Sequence, residues 1–171
     1  AVNALAAALV QLLLSVGDNT LLRSASFWLM GSFAPADWRL LLPATVLLLL
    51  VALRSGQRAG ALDLWQLGDT EAAHLGLDVL RFRREMLLLA SLLVALAVAQ
   101  AGGIGFIGLL APHMARRLGI SAHRQLLPAS LLLGALLAVA ADLLARRLVA
   151  PLELPVGVLT ALLGAPAFLF L

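Results

Sequence analysis

Residues 86–112 form a run of 27 residues that contains no Asp, Glu, Lys or Arg. A single helix of that length would reach about 40 Å at about 1.5 Å per residue, whereas the hydrocarbon core of a bilayer is about 30 Å thick. The run is too long for one untilted crossing, so the chain must break inside it, and Gly102, Gly103 and Gly105 supply the break. Residues 1–16, 38–53, 126–147 and 155–171 are further apolar runs near the length of a membrane helix. The composition agrees, at 63% hydrophobic, 12% charged and a mean hydropathy of +1.04. A soluble domain is about 45–50% apolar and roughly 25% charged, so too few charges are present to coat a water-soluble body. A cytosolic enzyme and a disordered tail are thereby excluded. A nucleic-acid binder is excluded too, because the net charge is only +3 and the arginines are scattered rather than clustered. The expected fold class is all-α, a polytopic transmembrane helical bundle of about six segments. The whole of 1–171 forms one partial domain.

The linkers differ in kind. Residues 20–33 carry Phe27, Trp28 and Met30, which suit a short amphipathic helix at the membrane surface. Residues 54–84 are the one long polar stretch, and the spacing of Leu62, Leu64 and Leu67, then Ala72, Leu75 and Leu77, predicts two short helices broken at Gly68 and Gly76. Arginine bias sets the orientation. Arg54, Arg58, Arg81, Arg83, Arg84, Arg116, Arg117 and Arg124 lie on one side, against Arg23, Arg39, Arg146 and Arg147 on the other. The richer side is expected to be cytoplasmic, which places 54–84 and 116–125 inside, with 18–38 and 148–155 outside. Residues 1–16 have no basic leader region and fit the interior of a membrane helix better than a signal peptide.

The chemistry-bearing residues are few. All 12 basic residues are Arg, so the phosphate-gripping lysine of a P-loop is missing and ATP hydrolysis is not expected of this chain. With no Cys there is no thiolate metal site or cysteine nucleophile. His74, His113 and His123 stand at no metal-ligand spacing, and no hydrolase or zinc motif occurs. The glycines of 102–108 read as a helix break with close helix packing. His113 reads as a histidine near the headgroups, with a proton relay or ligand as its functional alternative. Asp142 and Arg146 have the favoured acid-then-base spacing of four on a helix. They form either a neutralised pair or a setting for an arginine offered outward. Glu153 and Pro155 read as a turn that opens the last helix.

Several blocks resemble one family. Residues 103–113 (Gly-Ile-Gly-Phe-Ile-Gly-Leu-Leu-Ala-Pro-His) are followed by His123-Arg124, Leu126-Leu127-Pro128, Ala141-Asp142-Leu143-Leu144-Ala145-Arg146, Glu153-Leu154-Pro155-Val156-Gly157 and residues 160–166. Upstream, Trp28 to Ser32, Asp37-Trp38-Arg39, Leu67-Gly68 and Leu75-Gly76 continue the pattern in the same order. Together they resemble the FecCD-type permeases of ABC importers for iron chelates, haem and cobalamin, specifically helices five to ten of a ten-helix subunit.

The resemblance implies roles by position. Leu67, Gly68, Asp69, Glu71, Ala72, Leu75 and Gly76 match the cytoplasmic coupling helices that dock into an ATPase. Arg146 takes the place of an arginine that receives acidic residues of the substrate-binding protein. Residues 1–16 match a pathway-lining helix, which makes Asn3, Gln11 and Ser15 candidates for pore-facing polar groups. The implied partners are an ABC ATPase dimer, a periplasmic or lipoprotein binding protein and a second permease copy. ATP and Mg are used by the ATPase, no cofactor or metal is bound by this chain, and the expected location is the bacterial cytoplasmic (inner) membrane. An ion-coupled secondary carrier and a purely structural membrane subunit are the competing readings. The carrier would depend on Asp142, and the structural subunit would have no use for an organised loop at 54–84.

Overall fold

The computed structural model describes residues 5, 8, 11–12, 28–33, 37–148 and 154–169, with side chains to 166. Among them the chain is helical: α1 (Trp38–Gln57), α2 (Ala59–Trp65), α3 (Asp69–His74), α4 (Val79–Ala101), α5 (Ile107–Arg117), α6 (His123–Leu148) and α7 (Val156–Leu169). The two short helices expected within 54–84 are α2 and α3, and the expected break in the long apolar run separates α4 from α5. Of residues 20–33, a helical turn is described at 28–30; residues 20–27 lie outside the described part.

The helix ends follow from local chemistry. Asp37 and Asp78 cap α1 and α4 by accepting the amides of Arg39 and Arg81 at 3.0 and 3.1 Å. Gly76 and Gly119, at φ +90° and +85°, close α3 and α5. In each case the next amide returns to the helix, Leu77 to the Ala72 carbonyl at 3.0 Å and Ile120 to the Ala115 carbonyl at 3.2 Å. An L side chain resists this left-handed conformation, so glycine is the residue that ends a helix this way. Inside α1, Thr45 and Ser55 give their hydroxyls to the carbonyls of Leu41 and Val51. Both polar groups are thereby satisfied within an apolar helix.

α1 and α6 are long and apolar enough to cross a bilayer. Few of their side chains are buried by the rest of the protein, and Leu42, Leu53, Leu132 and Leu136 are mostly exposed. Such a surface is costly in water and ordinary against hydrocarbon. The most extensive packing is between α5 and α6, which form an antiparallel hairpin. Ala111 and Ala115 are buried there, and a Cβ on Gly134 would stand 3.6 Å from that of Ala111. Small residues bring the backbones together, as helix association in lipid requires. A second cluster of Ala141, Ala145, Val156 and Leu159 lies at the other end of α6, with Phe33, Ile104 and Leu154 against it.

Two sets of contacts sort the loops between the ends of the bundle. Asp63 of α2 bonds His123 at the start of α6, which puts the 58–78 and 118–122 connections at one end. At the other, Ser32 N–H donates to the Ala101 carbonyl at 2.9 Å, Gly103 N–H to Trp28 at 3.3 Å and Gly157 N–H to Gly31 at 3.5 Å. The arginine count predicts this same grouping.

The glycine-rich segment needs a correction. Close packing between helices is the sequence expectation, but the neighbour of Gly102 and Gly103 is the 28–31 turn. A Cβ on Gly102 would overlap the Trp28 carbonyl and one on Gly103 would lie 2.8 Å from that of Leu29, while Gly105 and Gly108 face open space. Gly102 has φ +69° and Phe106 φ +66°, a strained value for an aromatic residue. Residues 102–106 are thus non-helical, and Gly102 and Gly103 hold this backbone against other backbone, which is where a membrane fold tolerates it.

Candidate functional site

The polar loop between α1 and α4 is a braced platform. Trp65, the last residue of α2, sets its ring edge-on to buried Phe82 of α4, with centroids 5.6 Å apart at 80°. The Arg83 guanidinium lies 5.8 Å from the Trp65 ring centre, within cation–π range. The Asp69 carboxylate accepts the Trp65 indole N–H at 2.7 Å and pairs with Arg83. The indole hydrogen bond first, and the Arg83 bond second, hold the Asp69 carboxyl below the usual aspartate range. One turn further along, Glu85 of α4 receives both Arg54 and Arg58, at 2.5 and 3.0 Å. That joins the end of α1 and the start of α2 to α4.

α2 is tied to α6 as well. Asp63 Oδ1 accepts the backbone N–H of His123 at 3.0 Å and lies 2.6 Å from its Nδ1. The backbone bond and then the imidazole keep the Asp63 carboxyl below its ordinary value. Gln66 Nε2 approaches His123 Nε2 at 3.3 Å. With Nδ1–H given to Asp63, Nε2 presents its lone pair to the Gln66 amide, so these partners define one consistent tautomer.

This bracing divides the seven residues that the family resemblance assigns to ATPase coupling. Leu67 and Leu75 are 60% and 59% exposed, and Glu71 is exposed with them. These three form an outward knob of two apolar groups and one acid. Gly68, at φ +110°, and Gly76 make the turns at either end of α3. Ala72 is fully buried, and Asp69 is committed to Trp65 and Arg83. Asp69 and Ala72 therefore hold α3 in place, a distinction that sequence position does not make.

At the opposite end, Arg146 Nε donates to Asp142 Oδ2 at 2.8 Å. The Arg146 side chain remains 54% exposed, against 22% for Asp142. The expected pair is formed: Asp142 holds the guanidinium through Nε, and more than half of the Arg146 side chain stays exposed. His113 lies within α5 with a buried Nε2 that has no hydrogen-bond partner among the described residues. Gln11 is an exposed helical residue. Asn3, Ser15 and Glu153 lie outside the described residues.

Sequence reasoning missed the Asp63–His123 joint and the Arg83–Trp65–Asp69 brace. Neither has a local signature, because each joins residues on different helices.

A profile of the FecCD transport family matches residues 1–171. The chain is 49% identical to the hemin transport system permease protein HmuU of Yersinia pestis, over 100% of this chain and 51% of that protein. It is also 49% identical to the Fe(3+) dicitrate transport system permease protein FecD of Escherichia coli, over 86% of this chain and 46% of that protein. Identity is 41% to the vitamin B12 import system permease protein BtuC of Klebsiella pneumoniae, over 88% and 45%. The chain spans about half the length of these curated relatives. A solved inward-facing metal-chelate type ABC transporter superposes with a TM-score of 0.89 at 40% identity, covering 96% of this chain and 54% of that one. Shared fold, apolar spans and a match along the whole sequence agree that this chain is a multi-pass membrane protein belonging to the FecCD transport family.

Proposed function

We propose that this chain forms part of the permease of an ABC importer that moves a metal chelate of the haem, siderophore or cobalamin class into the cytoplasm across the inner membrane. The observation that carries the reading is the braced loop, in which Glu71 of α3 and the flanking Leu67 and Leu75 are exposed while Asp69 and Ala72 anchor the helix. A rigid knob on a membrane bundle suits the transmission of nucleotide-driven motion from a separate ATPase dimer, which would use ATP and Mg itself. At the far end, the exposed guanidinium of Arg146 suits an acidic group on a binding protein. A second permease copy would complete the pathway. The chain performs no covalent chemistry in this scheme. Its residues make one arrangement of helices more stable than another, and partner binding shifts the balance.

The secondary-carrier alternative loses ground because its one candidate acid, Asp142, is paired with Arg146. The test is Glu71→Arg in the assembled transporter. ATPase co-purification should fall several-fold while membrane insertion is retained, and unchanged co-purification would remove the coupling assignment.

A further inference from the structure

We infer that the Asp63–His123 pair is a positioning joint that passes movement of the coupling loop into α6, and that α6 acts as the strut between the two faces of the protein. The inference deepens the importer reading and rests on it.

The loop is fastened to the bundle at distinct points. Glu85 with Arg54 and Arg58 ties α1 and α2 to α4, and Asp69 with Arg83 ties α3 to α4. These bonds all end on the helix that directly follows the loop. Asp63 is different, because it reaches 60 residues along the chain to the first residue of α6. Its Oδ1 takes both the backbone N–H and Nδ1 of His123. The N-terminus of a helix exposes unpaired amides and favours a negative charge, so the carboxylate grips the helix axis as well as a side chain. Gln66, at the C-terminal end of α2, holds the other edge of the imidazole. Two residues of α2 thus grasp one residue of α6, and the His123 side chain is only 12% exposed.

α6 is suited to carry a displacement. It is one helix of 26 residues, about 39 Å at about 1.5 Å per residue, and Pro128, in its second turn, removes one backbone N–H from the ladder. Near its end stand Asp142 and Arg146, and its small residues Ala141 and Ala145 are packed against Val156 and Leu159 of α7. A tilt imposed at His123 therefore moves the arginine face and α7 together. Packed helices shift as units between discrete arrangements rather than deforming continuously.

The experiment compares His123→Leu, His123→Asn and Asp63→Asn in the assembled transporter in proteoliposomes, reading labelled haem, ferric hydroxamate or cobalamin, whichever the parent assembly imports, per ATP hydrolysed. Asparagine at 123 keeps an N–H donor near the position of Nδ1, and leucine removes it. His123→Leu should lower the ratio about tenfold, as expected for losing a hydrogen bond to a charged group, with ATPase co-purification unchanged. His123→Asn should restore it to within about twofold. Asp63→Asn keeps an acceptor for the His123 amide but loses the charge, and should fall between them. An unaltered ratio in both His123→Leu and Asp63→Asn overturns the joint alone. A wild-type assembly that imports without any ATPase overturns the importer reading on which the joint rests.

Discussion

The two ends of the bundle are built from opposite materials. The end that carries the loop is held by side chains, with Arg54 and Arg58 on Glu85, Arg83 and Trp65 on Asp69, and His123 on Asp63. The other end is held by backbone: the 28–31 turn crosses Gly102, Gly103 and Gly157 so closely that a methyl group on any of them would overlap a carbonyl. Partly exposed ion pairs are individually weak and can exchange partners. Backbone in contact at a glycine has no such freedom, because close packing transmits strain instead of absorbing it. The difference indicates that the loop end can exchange contacts within itself, whereas the glycine end behaves as one rigid unit.

The sharpest way to break this contrast is at the glycine end. Gly157→Ala places a Cβ into the Met30 carbonyl and within 2.8 Å of that of Gly103, so the detergent-solubilised protein should lose about 3 kcal/mol or fail to fold. Gly108→Ala meets nothing within 4 Å and should melt within about 0.5 kcal/mol of the parent. Equal melting of the two variants would refute the rigid-unit reading.

A smaller effect is expected at the loop end. Arg83→Leu removes the partner of Asp69 and the cation over Trp65. Amide hydrogen exchange in α3 should speed up several-fold while α5 and α6 stay protected. Global loss of protection would show that the loop is part of the core, not a separate braced unit.

The smallest effect comes from pH. Asp63 and Asp69 have carboxyls held below the ordinary aspartate value of about 3.8. A depressed carboxyl contributes stability that is present above its unfolded value and lost as pH falls through its folded value. Trp65 fluorescence, with Trp28 and Trp38 replaced by Phe, should therefore stay constant from pH 8 to pH 5 and change only below about 3.8. A transition near pH 6 would contradict the assignment of these two acids as the anchors.

Much of this architecture is legible from local pattern. The leucine spacing and flanking glycines locate α2 and α3, the length of the uncharged run demands a break, and the spacing of Asp142 and Arg146 gives their bond. Each of these depends on a period or a separation of a few residues. The reason for Gly102 and Gly103 was not legible, because the turn they receive lies some 70 residues earlier in the sequence. The same applies to Asp63 with His123, where a carboxylate and a helix end meet without any sequence periodicity. Nor does position within a motif tell Asp69, which turns inward to Trp65 and Arg83, from Glu71, which stays exposed.

Residues 1–171 contain no cysteine, so a Glu71→Cys variant, compared with the unsubstituted parent, reports the placement of the loop between α1 and α4. In intact cells an impermeant thiol reagent should leave Cys-labelled signal absent at this position, and label should appear after permeabilisation and fall again when the ATPase is bound. Labelling from outside in intact cells would contradict the account at its centre.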